Sequence, residues 1–459
     1  MSSPLRALAA PIYIPSLIYS IGNGALQPVI VLAALDIGFG EAGSSAVLGV
    51  AGVIGVFTAP LLGKFITRVS DRRSLIIASL LALAALAVST TALFFPGTFF
   101  AKAAFLLGIA IIAISLNVWT LARQAYIADA LPGIWRGRGL STLGGMLRLG
   151  VLVGPLISTA LIALWGLESV FVMNAVTVAI SLALIVRYLV PLPKPAEASQ
   201  GKDGSAPAAD ADQGEPSSAQ SGTVEIARTE AKDSAGAGGT SHKRYLPTDA
   251  HPGGVPRPEL KATVIAGIGI TSLTILRANK NVIIPLWGTA LGLDNELITL
   301  AFAASALIDT VLFYPAGKLA DRKGRLWALM PSLTIMSAAI ILMVSWGTVP
   351  GFFIGAALLG FGNGFGSGIL MTLGADLSPS TNRATFLGYW QAIANSGSAA
   401  GPFVVSGLTA ALGISAGLWA TAGLGLFGAV WFRLLLPKTY ARLGLNLRGM
   451  PIQSRDFNR

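Results

Sequence analysis

The chain has 459 residues, of which 53% are hydrophobic and only 12% charged, and a mean hydropathy of +0.70. A soluble domain of this length could not carry that composition on its surface, so the chain is read as a polytopic membrane protein. A net charge of +11 invites a nucleic-acid partner, but the basic residues sit in short loops between apolar runs, where they set topology and meet lipid headgroups.

No cysteine is present, which excludes disulfides, thiolate metal sites and thiol catalysis. Both histidines, His242 and His251, fall in a polar stretch outside the apolar runs, so a proton relay within the membrane would have to use carboxylates. The mildly basic N-terminus runs into an apolar segment without a small-residue cleavage site, so the first span is expected to be retained.

Six apolar runs come first, at about 12–33, 45–66, 75–95, 101–127, 139–163 and 169–190, each near the ~17–25 residues of a spanning helix. Residues 191–258, rich in Ala, Gly, Ser, Pro and charge, are expected to form a disordered cytoplasmic linker. Six more runs follow, at about 261–287, 298–317, 326–347, 350–375, 384–411 and 414–437, and a basic tail over 439–459. The domains expected are therefore two six-helix bundles, 1–190 and 259–438, a linker and a tail.

Loop charges test this threading. With both termini cytoplasmic, the inner loops hold Lys64, Arg68, Arg72, Arg73, Arg136, Arg138, Lys318, Arg322, Lys323, Arg325 and Arg383. The outer ends hold Asp36, Glu41, Glu168, Asp294 and Glu296 against Lys102 alone. That bias is the one the positive-inside rule requires.

The halves repeat one another. Asp129, Arg136 and Gly154-Pro155 recur as Asp376, Arg383 and Gly401-Pro402, and the three spacings are all 247 residues. Gly63 recurs as Gly317 at a spacing of 254. One register held across three features indicates duplication.

Between the second and third runs of the second half stands Gly317-Lys318-Leu319-Ala320-Asp321-Arg322-Lys323-Gly324-Arg325, read as a tight charged hinge bounded by glycines. It resembles the G-x-x-x-D-R-x-G-R signature of the major facilitator superfamily. The resemblance implies an all-α membrane protein of the major facilitator fold, with twelve transmembrane helices in two pseudo-symmetric six-helix bundles and substrate handled between them.

In such proteins the loop acid is thought to dock on a helix start in the opposite half. By that analogy Asp321 should latch. The first copy, Gly63 to Arg73, has Thr67 in place of the acid, keeps Arg68, and has Ser70 for the second glycine and Asp71 for a cation, so its latch should be weak. The alternative is that both loops only hold orientation by positive charge.

In the fifth run, Gly150, Gly154 and Pro155 resemble the G-x-x-x-G-P signature of drug:proton antiporters, with Ser158 and Thr159 where that pattern has two further glycines. Small residues spaced by four also serve close helix packing. The glycine-dense run from Gly360 to Gly368 lacks a P-loop lysine and is read as packing or a flexible gate.

Asp309 is the only carboxylate deep within a predicted run, and Arg148 in the fifth run lies at similar depth. An intramembrane charge is expensive and marks ion pathways by default. The two are expected to pair in one state and part on protonation of Asp309, with Arg277 as a second partner; the alternative is a permanent pair that only specifies packing. By family analogy Asn23, Gln27, Asn117, Arg277, Asn281 and Asn363, joined by Trp390, Gln391 and Asn395, would line the cavity.

The function expected is secondary active export of small amphipathic organic molecules, neutral or anionic, by proton antiport in a bacterial inner membrane. The chain would act as a monomer with no cofactor beyond the coupling proton. A metabolite importer and a non-transporting sensor or scaffold are the alternatives. No hydrolase, metal or nucleotide constellation suggests an enzyme.

Overall fold

In hydrocarbon every backbone N–H and C=O must find its partner inside the protein, so apolar runs of this length become helices. The computed structural model describes residues 4–131, 133–190, 259–366, 368–379 and 383–450; the expected linker and the end of the tail lie outside them. A short helix, Pro4–Ala7, and a π-turn, Ala9–Tyr13, lead into the first half. That half comprises α1 (Ile14–Ile37), α2 (Gly40–Val69), α3 (Asp71–Leu93), α4 (Phe99–Ala130), α5 (Gly133–Trp165) and α6 (Glu168–Tyr188).

The second half comprises α7 (Leu260–Ala290), α8 (Asn295–Lys323), α9 (Leu326–Trp346), α10a (Val349–Gly366), α10b (Ile369–Leu377), α11 (Arg383–Leu412) and α12 (Ile414–Arg442). Among the described residues eleven spans are long and apolar enough to cross a membrane. The 30-residue α11, with its run of small and polar residues from Asn395 to Gly401, completes the expected twelve.

The packing repeats as the sequence does. In the first half α1 lies on α5 and α6, and α3 on α4 and α6; in the second, α7 lies on α11 and α12, and α9 on α10a and α12. Across the halves the pairs are equally symmetric: α2 with α11, α5 with α8, and α1 with α7.

Glycines set the closest approaches. A Cβ on Gly24 of α1 would stand 2.7 Å from Val151 Cα of α5, and one on Gly52 of α2 would stand 2.9 Å from Ala399 Cα of α11.

The helices run further than apolarity alone predicts. The charged hinge read at 317–325 is helical through Lys323, so Gly317, Asp321 and Arg322 sit in the last turns of α8 and the chain turns only at Gly324, where φ is +109°. In the first copy α2 likewise persists to Val69 and the turn falls at Ser70, with φ +90° and ψ 152°. Ser70 and Gly324 are 254 residues apart, the spacing of Gly63 and Gly317. The duplicated backbone conformation has thus been kept where its glycine has not.

That region of φ and ψ is nearly reserved for glycine. Ser70→Gly is therefore expected to stabilise the fold by about 1 kcal/mol, and a thermal-unfolding midpoint no higher than wild type would contradict the strain.

Twelve crossings return the start of α1 and the end of α12 to the same end of the bundle, and side-chain contacts between the halves lie towards the other, distal end. There Thr159 Oγ1 lies 3.1 Å from Thr299 Oγ1, and Ser406 Oγ donates to the Ala42 carbonyl (2.8 Å). Val31, Val282, Leu286 and Val405, all fully buried, make a small apolar plug with Leu35 and Leu48 packed on it.

Candidate functional site

Asp309 is the fifteenth of 29 residues in α8, and Arg148 the sixteenth of 33 in α5. The two helices that face each other across the halves therefore carry opposite charges at the same depth. Asn363 of α10a donates Nδ2 to Asp309 Oδ2 at 2.6 Å. This contact is possible because glycines let α10a lie hard on α8: a Cβ on Gly364 would stand 3.1 Å from the Asp309 carbonyl.

The expected Asp309–Arg148 ion pair is not made in this conformation. The Arg148 guanidinium instead lies 3.6 Å above the ring of Phe313, one turn beyond Asp309, a cation–π contact from one half to the other. Arg277 of α7 makes a long contact, 3.5 Å from Nη1, to the Gly366 carbonyl. There α10 breaks before Gly368, which has φ +85°, so the cation meets the negative end of α10a.

The cluster holds a residue that the sequence reading does not single out. Lys280 lies three positions after Arg277 on the same face of α7, is 6% exposed, and sets its ammonium 5.4 Å from the Phe302 ring centre of α8. Asp309 acts electrostatically on Arg148, Arg277 and Lys280 alike. The mid-depth cluster thus holds three cations around one carboxylate. The signal available in the sequence was the three-residue spacing from Arg277.

The amides are less gathered. Asn117 donates to the Ala113 carbonyl of its own helix (3.1 Å). It borders Gly55, where a Cβ would stand 3.2 Å from Asn117 Nδ2. Gly55 is the repeat-related counterpart of Asp309, so the α2–α4 juncture copies the α8–α10a juncture without its charge. Asn23, Gln27 and Asn281 are half-buried and make no side-chain hydrogen bond among the described residues.

Trp390 is 2% exposed and donates Nε1 to the Leu370 carbonyl at 2.8 Å, which places it in the packing of α11 on α10b. Gln391 Nε2 donates to Asn395 Oδ1 (2.9 Å) one turn on, and Gln391 is exposed. A second cation that the sequence reading does not single out, Arg123 of α4, is 2% exposed beside the stacked rings of Tyr19 and Trp119.

The antiporter-like motif builds a helix contact. Gly150 and Gly154 bring α5 onto α1, where Ser20 Oγ donates to the Leu147 carbonyl (2.8 Å). Ser158 and Thr159 both turn their hydroxyls onto the Pro155 carbonyl, 2.9 Å each.

The charged loop is tied differently from the expectation. Asp321 is 72% exposed and pairs with Arg325 of its own loop at 3.1 Å, not with the opposite half. The buried partner is Asp376 of α10b, whose two oxygens accept from Arg325 Nε (2.8 Å) and Nη2 (3.2 Å) and which also accepts from Tyr440 (2.8 Å). Burial alone would make the Arg325 guanidinium a weaker base, but the hydrogen bond and charge of Asp376 outweigh it and hold its pKa above the usual value.

The residues after α12 add to this tie, since Arg325 N donates to the Leu447 carbonyl at 2.7 Å. The corresponding positions in the first half are Asp71 and Asp129, two acids that cannot form such a pair. Thr67, in the place of the loop acid, donates back to the Gly63 carbonyl (2.6 Å) of its own helix.

Removing one partner of a buried ion pair costs about 3–5 kcal/mol, an exposed one at most about 1. Asp376→Asn should accordingly lower the unfolding midpoint far more than Asp321→Asn. Equal effects in a thermal melt would show that the Asp376 pair is not the tie.

A family model of the Major Facilitator Superfamily matches residues 12–239 and 266–450. No curated protein sequence matches the chain. Among solved structures, a D-xylose–proton symporter superposes with a TM-score of 0.66 at 16% identity, over 98% of this chain and 99% of that one. A POT family transporter in complex with a thioalcohol-conjugated peptide gives 0.66 at 12% identity, over 95% and 96%. The human organic anion transporter MFSD10 (TETRAN) gives 0.56 at 16%, over 94% and 100%.

Identities this low speak to the fold alone, and the fold is shared from end to end. With its duplicated halves, its twelve long helices and a family model covering most of its length, the chain belongs to the Major Facilitator Superfamily.

Proposed function

We propose that this membrane transporter exports small amphipathic organic molecules by proton antiport, through rocking of its two six-helix halves. The observation that supports this reading is Asp309: a carboxylate at the middle of α8, held by Asn363, with Arg148 poised on the facing helix. A group in that position can carry a proton and change its partners as the halves move. The distal plug suits a state facing the side on which both termini lie. The excess of loop cations supports reading that side as cytoplasmic, and the membrane in this reading is a bacterial inner membrane.

In this reading Asp309 couples the proton, with Arg148 and Arg277 as the cations it answers to. The half-buried amides Asn23, Gln27, Asn117 and Asn281 contribute to a mainly apolar chamber. Members of this superfamily are transporters, and no catalytic role is assigned to any residue. The α8–α9 loop, tied through Arg325, holds the second half rigid while the first moves.

The test is uptake of lipophilic compounds into everted membrane vesicles containing the protein, with an acid-inside gradient and after its collapse by an ionophore. Accumulation that requires the gradient is expected. Uptake indifferent to it, or accumulation only in the opposite sense, would replace this reading with a facilitator or an importer.

A further inference from the structure

We propose that Lys280, together with Arg277 and Arg148, forms a subsite for the anionic head of the transported molecule, so that the preferred substrates are amphiphiles bearing a carboxylate or sulfonate. This rests on the transport reading above and narrows its substrate class. Lys280 is 94% buried, the complement of its 6% exposure, and makes no hydrogen bond and no ion pair among the described residues. The Phe302 ring centre lies 5.4 Å from its ammonium.

A buried ammonium without a partner is among the least favourable arrangements a protein interior can hold. Structural lysines escape it by snorkelling, but Lys280 lies ten residues from the distal end of α7, about 15 Å by helix rise, too deep for its stem to reach headgroups. A carboxylate partner would also remove the cost. Among the described residues the acid that acts on it is Asp309, which is already held by Asn363 and shared with two further cations.

Three cations around one carboxylate leave an excess of positive charge that nothing in the described protein neutralises. A ligand carboxylate or sulfonate would supply the missing charge. Arg277 adds a planar donor fork one turn from Lys280, and the rings of Phe302 and Phe313, which already carry Lys280 and Arg148, offer apolar contact to the rest of an amphiphile.

The proposal is tested with the full chain in detergent by thermal unfolding in the presence of 2-naphthoate, its neutral isostere 2-naphthamide, and 2-naphthylmethylammonium. Wild type should bind the carboxylate roughly tenfold or more tightly than the amide, the worth of one charge-assisted contact, and should not respond to the cation. Lys280→Gln should erase the preference and keep the amide response, and Lys280→Arg should retain the preference. A Lys280→Gln protein with the full preference, or a wild type that prefers the amide or cation or answers to none of the three, would overturn the subsite.

If the glutamine variant does not fold, the wild-type and arginine arms still decide. These equilibrium measurements are independent of direction and coupling. Carboxylate preference without gradient-driven flux would sink antiport alone, and flux of neutral compounds without carboxylate preference would sink this subsite alone.

Discussion

Asp309→Asn should abolish gradient-driven accumulation, by roughly tenfold or more, while leaving a folded protein that still exchanges substrate across the membrane without a gradient. The asparagine carbonyl can accept the Asn363 hydrogen bond that the carboxylate accepts now at 2.6 Å, so the α8–α10a contact has no reason to part. What is lost is the carboxylate at mid-depth, and with it the acid through which the cluster takes up and releases the coupling proton in this reading. The substitution also leaves Arg148, Arg277 and Lys280 unopposed, and a modest drop in thermal stability should accompany it. Asp309→Glu, which restores the acid on a longer stem, should recover part of the accumulation. Undiminished coupling in Asp309→Asn, measured against an ionophore control, would make Asp309 a packing residue and remove the proton from the mechanism.

Much of the architecture could be read before the coordinates because lipid enforces it. Apolar runs of fixed length must be helices, and the 247-residue register of Asp129/Asp376 and Pro155/Pro402 shows up again as matching helix pairs in the two halves. Apolarity says nothing about where a helix stops once it has left the membrane. The signature at 317–325 reads as a tight hinge, although its backbone stays helical to Lys323.

The choice of acid at that turn was also beyond sequence. Asp321 stands in the signature and Asp376 does not, but only Asp376 is brought under Arg325 and Tyr440 by the packing of α10b and α12. Lys280 escaped notice for a related reason. Flanked by Asn279, which is buried on Thr421 at 2.9 Å, and by the half-buried Asn281, it had the look of one more polar residue until burial and the absence of any partner set it apart.

Gly154→Leu should prevent assembly of the first half, so that no monodisperse protein is recovered. A Cβ at Gly154 would fall on the backbone of α1, against Ala25 N, the Ile21 carbonyl and, at 2.8 Å, Gly24 C. Backbone atoms cannot turn aside as a flexible side chain can, so the two helices would have to separate. Separation would also undo the approach of Gly24 to Val151 Cα at 2.7 Å and the Ser20–Leu147 hydrogen bond, in a helix pair that has little hydrophobic driving force to re-form elsewhere in lipid.

The repeat-related Gly401→Leu should be tolerated better, because the nearest atom there is the Asn279 side chain at 2.6 Å and backbone lies no closer than 3.2 Å. Gly423→Leu, on an exposed face of α12 with nothing within 4 Å, serves as the control and should express as wild type. Size-exclusion profiles of the three variants, run side by side, distinguish two meanings of the Gly150–Pro155 motif. If Gly154→Leu elutes like the control but loses transport, the motif acts in the transport cycle. If it is lost while the control survives, the motif is first a backbone-to-backbone seam, and its resemblance to antiporters reports how the first half is packed, not which ion it couples.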